Sequence, residues 1–210
     1  MINDPLYIQR HVSLKQRRLS VDNDVVFAGE LNMATHDFLT ELYRFLKPDY
    51  LRFFKMDPLS KTLFLASEAI LQGYDLLPEE RSETALVFYN NHSSLEVDKQ
   101  FQATIKSNAF FPSPSLFICT LPNIALGEIA IRNRFMGENC TFIAPNFDAE
   151  QCVFHVEALF KEGSSAHVWC GWFDFADEVA EADIFWISRE KTNKTFTTYN
   201  LNNSIWKSLL

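Results

Sequence analysis

Met136-Gly137-Glu138-Asn139-Cys140-Thr141-Phe142-Ile143-Ala144-Pro145-Asn146-Phe147-Asp148 reads as a turn, a strand, a sharp corner and the start of a helix. Met136 to Asn139 is turn chemistry, and Cys140 to Ala144 is an apolar run of strand length. Pro145-Asn146 breaks it, and Phe147 to Phe160 then predicts a helix that Gly163 closes. Upstream, Thr84 to Tyr89 is nearly all apolar, the pattern of a strand buried on both faces. Asn90-Asn91-His92-Ser93 follows as a turn, and Ser94 to Ile105 reads as a helix. Asn123 to Phe135 repeats Ile124, Ile129, Ile131 and Phe135, which predicts another helix. Gly127 within it suggests close packing against another backbone. Downstream, Ser165 to Phe173 reads as a strand. Short apolar strands alternating with helices predict an α/β layer structure.

The flanks extend this pattern. Leu6 to Leu14 reads as a strand and Lys15 to Asp24 as a polar loop. Thr35 to Phe45 has helical spacing that Pro48 stops. Asp57-Pro58 is an N-cap followed by a first-turn proline, and Leu59, Leu63, Ala66, Ile70 and Leu71 continue that helix to Gly73. Asp174, Asp177, Glu178, Glu181 and Asp183 read as a solvated acidic loop or as a docking surface for a basic partner. Ile184 to Ser188 and Thr195 to Tyr199 read as a last hairpin around Lys191-Thr192-Asn193-Lys194. No repeat, linker or composition break divides residues 1–210, so one domain is expected.

Composition narrows the function classes. The chain has 210 residues, 47% of them hydrophobic and 20 of them Phe, enough for a sizeable core and for aromatic surface toward a partner. Lys and Arg number 19 against 27 Asp and Glu, a net charge of −8. That balance disfavours nucleic acid and anionic membranes. Cys119, Cys140, Cys152 and Cys170 form no CxxC pair, and the His residues show no HxH or HExxH spacing. No metal or cofactor is expected. The cysteines read as reduced thiols of a cytoplasmic protein, with no signal peptide and no apolar run long enough for a bilayer.

Several of these stretches resemble β-ketoacyl-ACP synthases, which have the thiolase-like fold. Lys55-Met56-Asp57-Pro58 with the following helix resembles the family's KMD helix. Phe111-Pro112-Ser113-Pro114-Ser115-Leu116-Phe117 with Leu121-Pro122-Asn123-Ile124-Ala125-Leu126-Gly127-Glu128 is similar to the segment after it. Gly137-Glu138-Asn139-Cys140-Thr141 resembles the glycine-led opening of the strand before the nucleophile. Ala166 to Asp174 sits where the family has a strand ending in small residues. Order and spacing agree from Lys55 to Arg189. The likeness covers the N-terminal half of a ketosynthase. It implies a thiolase-like half, one mixed sheet of about five strands layered with helices. Met1 and the last hairpin read as a natural half-length protein.

Two departures shape the functional expectation. The family's nucleophilic cysteine falls on Asn146, and a carboxamide cannot carry an acyl thioester. The half that would bring two histidines and a lysine is not in this sequence, so charge stabilisation is missing as well. Family activity is 3-oxoacyl-ACP synthesis, and this chain alone is not expected to perform it. It resembles a truncated chain-length factor, which lacks the nucleophile and pairs with an active ketosynthase. The resemblance then implies a non-catalytic subunit that shapes acyl or polyketide chain length in fatty-acid-like or pigment biosynthesis. Its partner would be a full-length ketosynthase, or a second copy, with acyl carrier protein engaged indirectly. Phe117, Leu121, Asn123 and Leu126 would line the tunnel and interface, and the strand Cys140, Thr141, Phe142, Ile143 and Ala144 would pair across a two-fold. The half-fold would also expose an apolar face unless something covers it. Asn146 reads equally as a cap of the helix at Phe147 or as a pocket-shaping side chain. An acyltransferase using Cys140, Cys170 or a Cys152/His155 pair, and a homodimeric binding module, are the rival readings. Trp169 and Trp172 would fill substrate space or repack the core.

Overall fold

The computed structural model describes residues 5–106, 109–110, 112–190 and 199–200. Its elements are β1 (Tyr7–Lys15), β2 (Arg18–Val21), β3 (Asp24–Ala28), α1 (Thr35–Leu46), a 3-10 turn (Leu51–Lys55), α2 (Pro58–Leu71) and α3 (Pro78–Ser82). There follow β4 (Thr84–Asn90), α4 (Leu95–Thr104), β5 (Ile105–Lys106), β6 (Ala109–Phe110), α5 (Pro114–Ile118) and α6 (Ile124–Asn133). The chain closes with β7 (Asn139–Ile143), α7 (Ala149–Glu162), β8 (His167–Ala176), β9 (Val179–Ser188) and β10 (Tyr199–Asn200). The main sheet runs β3-β2-β1-β9-β8-β4-β7, with β10 paired to β1. β4 lies parallel to both β7 and β8, and the other pairings are antiparallel.

This is the mixed, helix-layered sheet of a thiolase-like half, with eight strands rather than about five. The excess comes from the N-terminus. Lys15 to Asp24, expected as a loop, contains β2 and two tight reversals. Gln16-Arg17 and Asp22-Asn23 all have positive φ, as a two-residue hairpin turn with the strands' own twist requires. Neither turn contains glycine, so the usual signal is absent.

Each face of the sheet has its own core. On the first, α1, α2 and α6 pack on alternate strand residues, among them Leu86, Phe88, Trp169, Phe173 and Trp186. On the second, Cys152, Val156 and Phe160 of α7 pack on Ala85, Val87, Tyr89, Val168 and Cys170. β4 is therefore buried along its whole length, as its apolar run predicts. α2 is the central helix of the first face and is buried continuously from Leu59 to Ser67. Asp57 starts it, its Oδ1 accepting from the Ser60 N–H at 2.9 Å, and Pro58 follows at the first helical position.

Three local expectations are corrected. A Cβ on Gly127 would meet nothing within 4 Å, because this residue faces open space rather than a neighbouring backbone. The close approach is at Gly137, where a Cβ would stand 2.6 Å from Thr84 O. The acidic run is not a loop. Only Asp177 and Glu178 turn, both at positive φ, and the rest lies in the β8–β9 hairpin. Asp174 and Asp183 are buried there, Asp183 against His11 Nε2 at 2.9 Å and Lys15. Ile184 to Ser188 pairs with β8 and β1 instead of forming a terminal hairpin. Residues 191–198, where that hairpin was expected, lie outside the described residues.

Candidate functional site

The connection from β4 to β7 crosses the first face through α6. The connection from β7 to β8 crosses the second through α7, and β7 and β8 flank β4. Chain therefore leaves the C-terminal ends of β4 and β7 toward opposite faces. A crevice between such strand ends is where open α/β sheets bind ligands.

Two loops meet there, tied by the Ala144 N–H donating to Asn90 O at 2.9 Å. In the loop after β4, Asn90 is fully buried and its Oδ1 accepts from the Ser93 N–H at 3.1 Å. His92 Nδ1 lies 2.6 Å from Asp174 Oδ2, and Asp174 Oδ1 also accepts from the His92 backbone N–H. The loop after β7 lines a shallow cavity of about 680 Å³ between Ala144 and Gln151. Asn146 sits exposed on this corner. It does not cap α7, contrary to one of the two roles the sequence offers it. That helix starts at Ala149, and Asp148 caps it by accepting from the Glu150 and Gln151 N–H groups at 2.9 and 3.1 Å.

No thiol lines this corner. Cys152 and Cys170 are fully buried in the second core. Burial, and then the Cys152 thiol, push Cys170 well above the usual thiol range. Burial and then Glu138 raise Cys140, and burial raises Cys119. A raised pKa removes the reactive thiolate. His155 stacks on Phe142, ring centroids 4.5 Å apart, and Cys152 is fully buried in the second core, which gives the rival Cys152/His155 reading no support. Among the described residues no group of His, Cys, Asp and Glu could hold a metal ion, and no helix is long and apolar enough to cross a membrane.

β7 ends the sheet, and its outer edge has no partner strand among the described residues. The Leu86 N–H donates to Glu138 O, and the Ala144 N–H to Asn90 O. In a parallel ladder alternate residues face the same neighbour, so Cys140 and Phe142 aim their backbone groups at β4. Thr141 and Ile143 turn theirs to the open edge. Ile143 is 58% exposed, Phe117 60% and Leu121 53%, whereas Phe142 packs beside Tyr89 with centroids 4.9 Å apart. Asn123 is exposed at the start of α6. Leu126 is the exception among the expected tunnel residues. It is fully buried in the first core, on the inward face of α6.

Trp169 is wholly buried on the first face and Trp172 half-buried on the second, so they do not share one pocket. The outward side of α7 is largely polar, with Gln151, Glu157 and Lys161 exposed beside the lone aromatic Phe154. The His92–Asp174 pair, 82 residues apart, left no signal in the sequence. Glu128 did leave one, since it occupies an inward position of an apolar helix and is buried.

A larger cavity, about 840 Å³, lies at the C-terminal ends of α1, α2 and α6. Two of its arginines, Arg81 and Arg132, are engaged by carbonyls and by the carboxylates of Asp75 and Glu68. Arg132 donates to Pro48 O, and Arg81 to Leu76 O and Asn133 O. These cations terminate helices, where the dipole favours them.

The sequence matches no family model and no curated protein. Solved structures do match. The ishigamide ketosynthase/chain length factor superposes with a TM-score of 0.63 at 15% identity, over 88% of this chain and 62% of that one. A ketosynthase (ApeO) in complex with its chain length factor (ApeC) from Xenorhabdus doucetiae gives 0.58 at 12%, over 89% and 79%. The AntDE:AntF complex, a type II PKS acyl-carrier protein with its ketosynthase bound to the hexaketide, gives 0.58 at 11%, over 89% and 62%. The chain thus spans 62% of the first and third of these. The fold is that of the ketosynthase and chain-length-factor structures.

Proposed function

We propose that this chain is a non-catalytic, ketosynthase-like subunit that pairs with a full-length β-ketoacyl-ACP synthase and shapes the length of its acyl or polyketide product. The observation that carries the reading is the corner after β7. The switch point of the sheet is kept, but it holds Asn146 where covalent catalysis would need a nucleophile, and the chain's cysteines are buried or raised in pKa. The open edge of β7 and the exposed side chains of Phe117 and Leu121 supply a surface for the partner. A strand added to that edge would satisfy the free backbone groups of Thr141 and Ile143. The three similar structures, described as ketosynthases with chain length factors or carrier protein, support this assignment.

The mechanism is steric. Phe117 and Leu121 would project toward the partner's product channel and set its depth, while the partner supplies the nucleophile and docks the acidic carrier protein. Residues 1–210 act as one domain in the cytoplasm, in fatty-acid-like or pigment biosynthesis. The test is molar mass by light scattering, alone and after co-expression with a ketosynthase encoded beside it. A one-to-one complex is the expected result. A homodimer that takes up no ketosynthase would overturn the reading in favour of a binding module.

A further inference from the structure

A separate cavity of about 520 Å³ lies between the 3-10 turn Leu51–Lys55, the N-terminus of α2 and the α5–α6 segment. Leu51, Met56, Ile118 and Ile124 give it apolar walls, and Glu128 reaches it from α6. Glu128 is only 6% exposed. Arg52 donates to it through Nε at 3.0 Å and Nη2 at 2.7 Å, but both bonds go to Oε1. Oε2 is buried and has no hydrogen-bond partner among the described residues. A guanidinium fork facing a carboxylate ordinarily meets both oxygens. Here one oxygen is doubly served, and the other is a buried acceptor without a donor, an arrangement that native proteins seldom leave without a reason.

The surroundings select the chemistry of the missing donor. The N-terminus of α2 borders the cavity but is already capped by Asp57, so it offers nothing to an anion. An anion would also face Glu128. A cation would face Arg52 and Lys55, while the carboxylate of Asp57 is already taken up by the Ser60 N–H and hydroxyl and the charge of Glu128 is balanced by Arg52. A neutral donor on an aliphatic stem meets neither repulsion. The volume lies in the usual range for small-molecule sites, apolar in the walls with a few convergent polar groups.

We propose that this cavity binds a short neutral amphiphile whose hydroxyl donates to Glu128 Oε2 and whose aliphatic stem packs between Met56, Ile118 and Ile124. The site belongs to this chain alone and does not depend on pairing with a ketosynthase. The test uses three probes of equal length, 1-hexanol, hexanoate and hexylammonium, titrated into the full chain with the isoleucine methyl resonances followed by NMR. 1-Hexanol is expected to shift Ile118 and Ile124 saturably, with the two ions at least tenfold weaker. Glu128→Gln, which removes the anionic acceptor, weakens 1-hexanol at least tenfold. Should that variant not fold, Ile118→Trp fills the mouth from an exposed position and abolishes the shifts with an unchanged circular dichroism spectrum. No saturation with 1-hexanol, equal binding of the three probes, or undiminished binding in a folded Glu128→Gln or Ile118→Trp chain would overturn the site.

Discussion

At the scale of single residues, the sheet depends on groups that sequence alone does not mark. Gly171 has φ of +141° in the middle of β8, and a Cβ there would stand 2.0 Å from Asp183 O. No side chain fits, because the obstacle is backbone. Gly171→Ala is expected to lower stability by roughly 3 kcal/mol, read as a shift of the urea midpoint. Gly127→Ala should do the opposite and gain up to about 1 kcal/mol, since nothing crowds that helical position. His167 gives a pH dependence. Trp186 Nε1 donates to its Nδ1 at 3.0 Å, which requires an unprotonated ring nitrogen. Burial holds the His167 pKa below the ordinary histidine value, opposed in part by Glu80. The unfolded chain therefore takes up the proton first. The contribution is complete above about pH 6.5 and falls away as pH drops below it. The Tm of the wild type should fall more steeply from pH 7 to 5.5 than that of His167→Gln, and parallel slopes would contradict this account.

At the scale of elements, β7 divides its backbone between two tasks, and proline separates them. Thr141→Pro or Ile143→Pro removes an N–H that faces the open edge and leaves the ladder to β4 intact. Either variant is expected to remain folded by circular dichroism and to lose its partner in light scattering. Cys140→Pro or Phe142→Pro removes a ladder bond to β4 within a buried sheet and is expected to unfold the chain. Equal behaviour of the two sets would contradict the register derived from the Glu138 and Ala144 bonds. α7 shows how an element's start can be misplaced by two residues. Asn146 and Asp148 are both good caps, and the geometry of the corner after Pro145 gives the position to Asp148.

At the scale of the whole molecule, the expected tunnel residues fall into two groups. Phe117 and Leu121 are exposed on one side of the fold, and Leu126 is in the core. In an assembled complex, Phe117→Ala and Leu121→Ala should lengthen the product by mass spectrometry with little change in stability. Leu126→Ala should leave the product distribution unchanged and cost about 2–5 kcal/mol of folding stability, the range for opening a cavity in a packed core. α7 turns a largely polar side outward, with Gln151, Glu157 and Lys161 exposed, and that side is suited to water.

The sequence by itself determined those features that rest on local chemistry. Asp57-Pro58 placed the start of α2, the TALVFY run marked the doubly buried β4, and the segment from Gly137 to Asp148 carried strand, corner and helix in order. It also carried the identity of the corner residue, Asn146, whose carboxamide cannot hold an acyl thioester, because residue identity needs no coordinates. Only the tertiary structure decided the rest. The N-terminal hairpins use non-glycine residues at positive φ, which the strand pairing imposes and composition does not reveal. Asp174 and Asp183 became buried partners of His92 and His11 because their strands lie beside groups 82 and 172 positions away. The same holds for the close approach at Gly137, the open face at Gly127, the inward turn of Leu126 and the unpartnered oxygen of Glu128. Each depends on what the folded chain brings next to a residue, and neighbours distant in sequence leave no periodic trace along it.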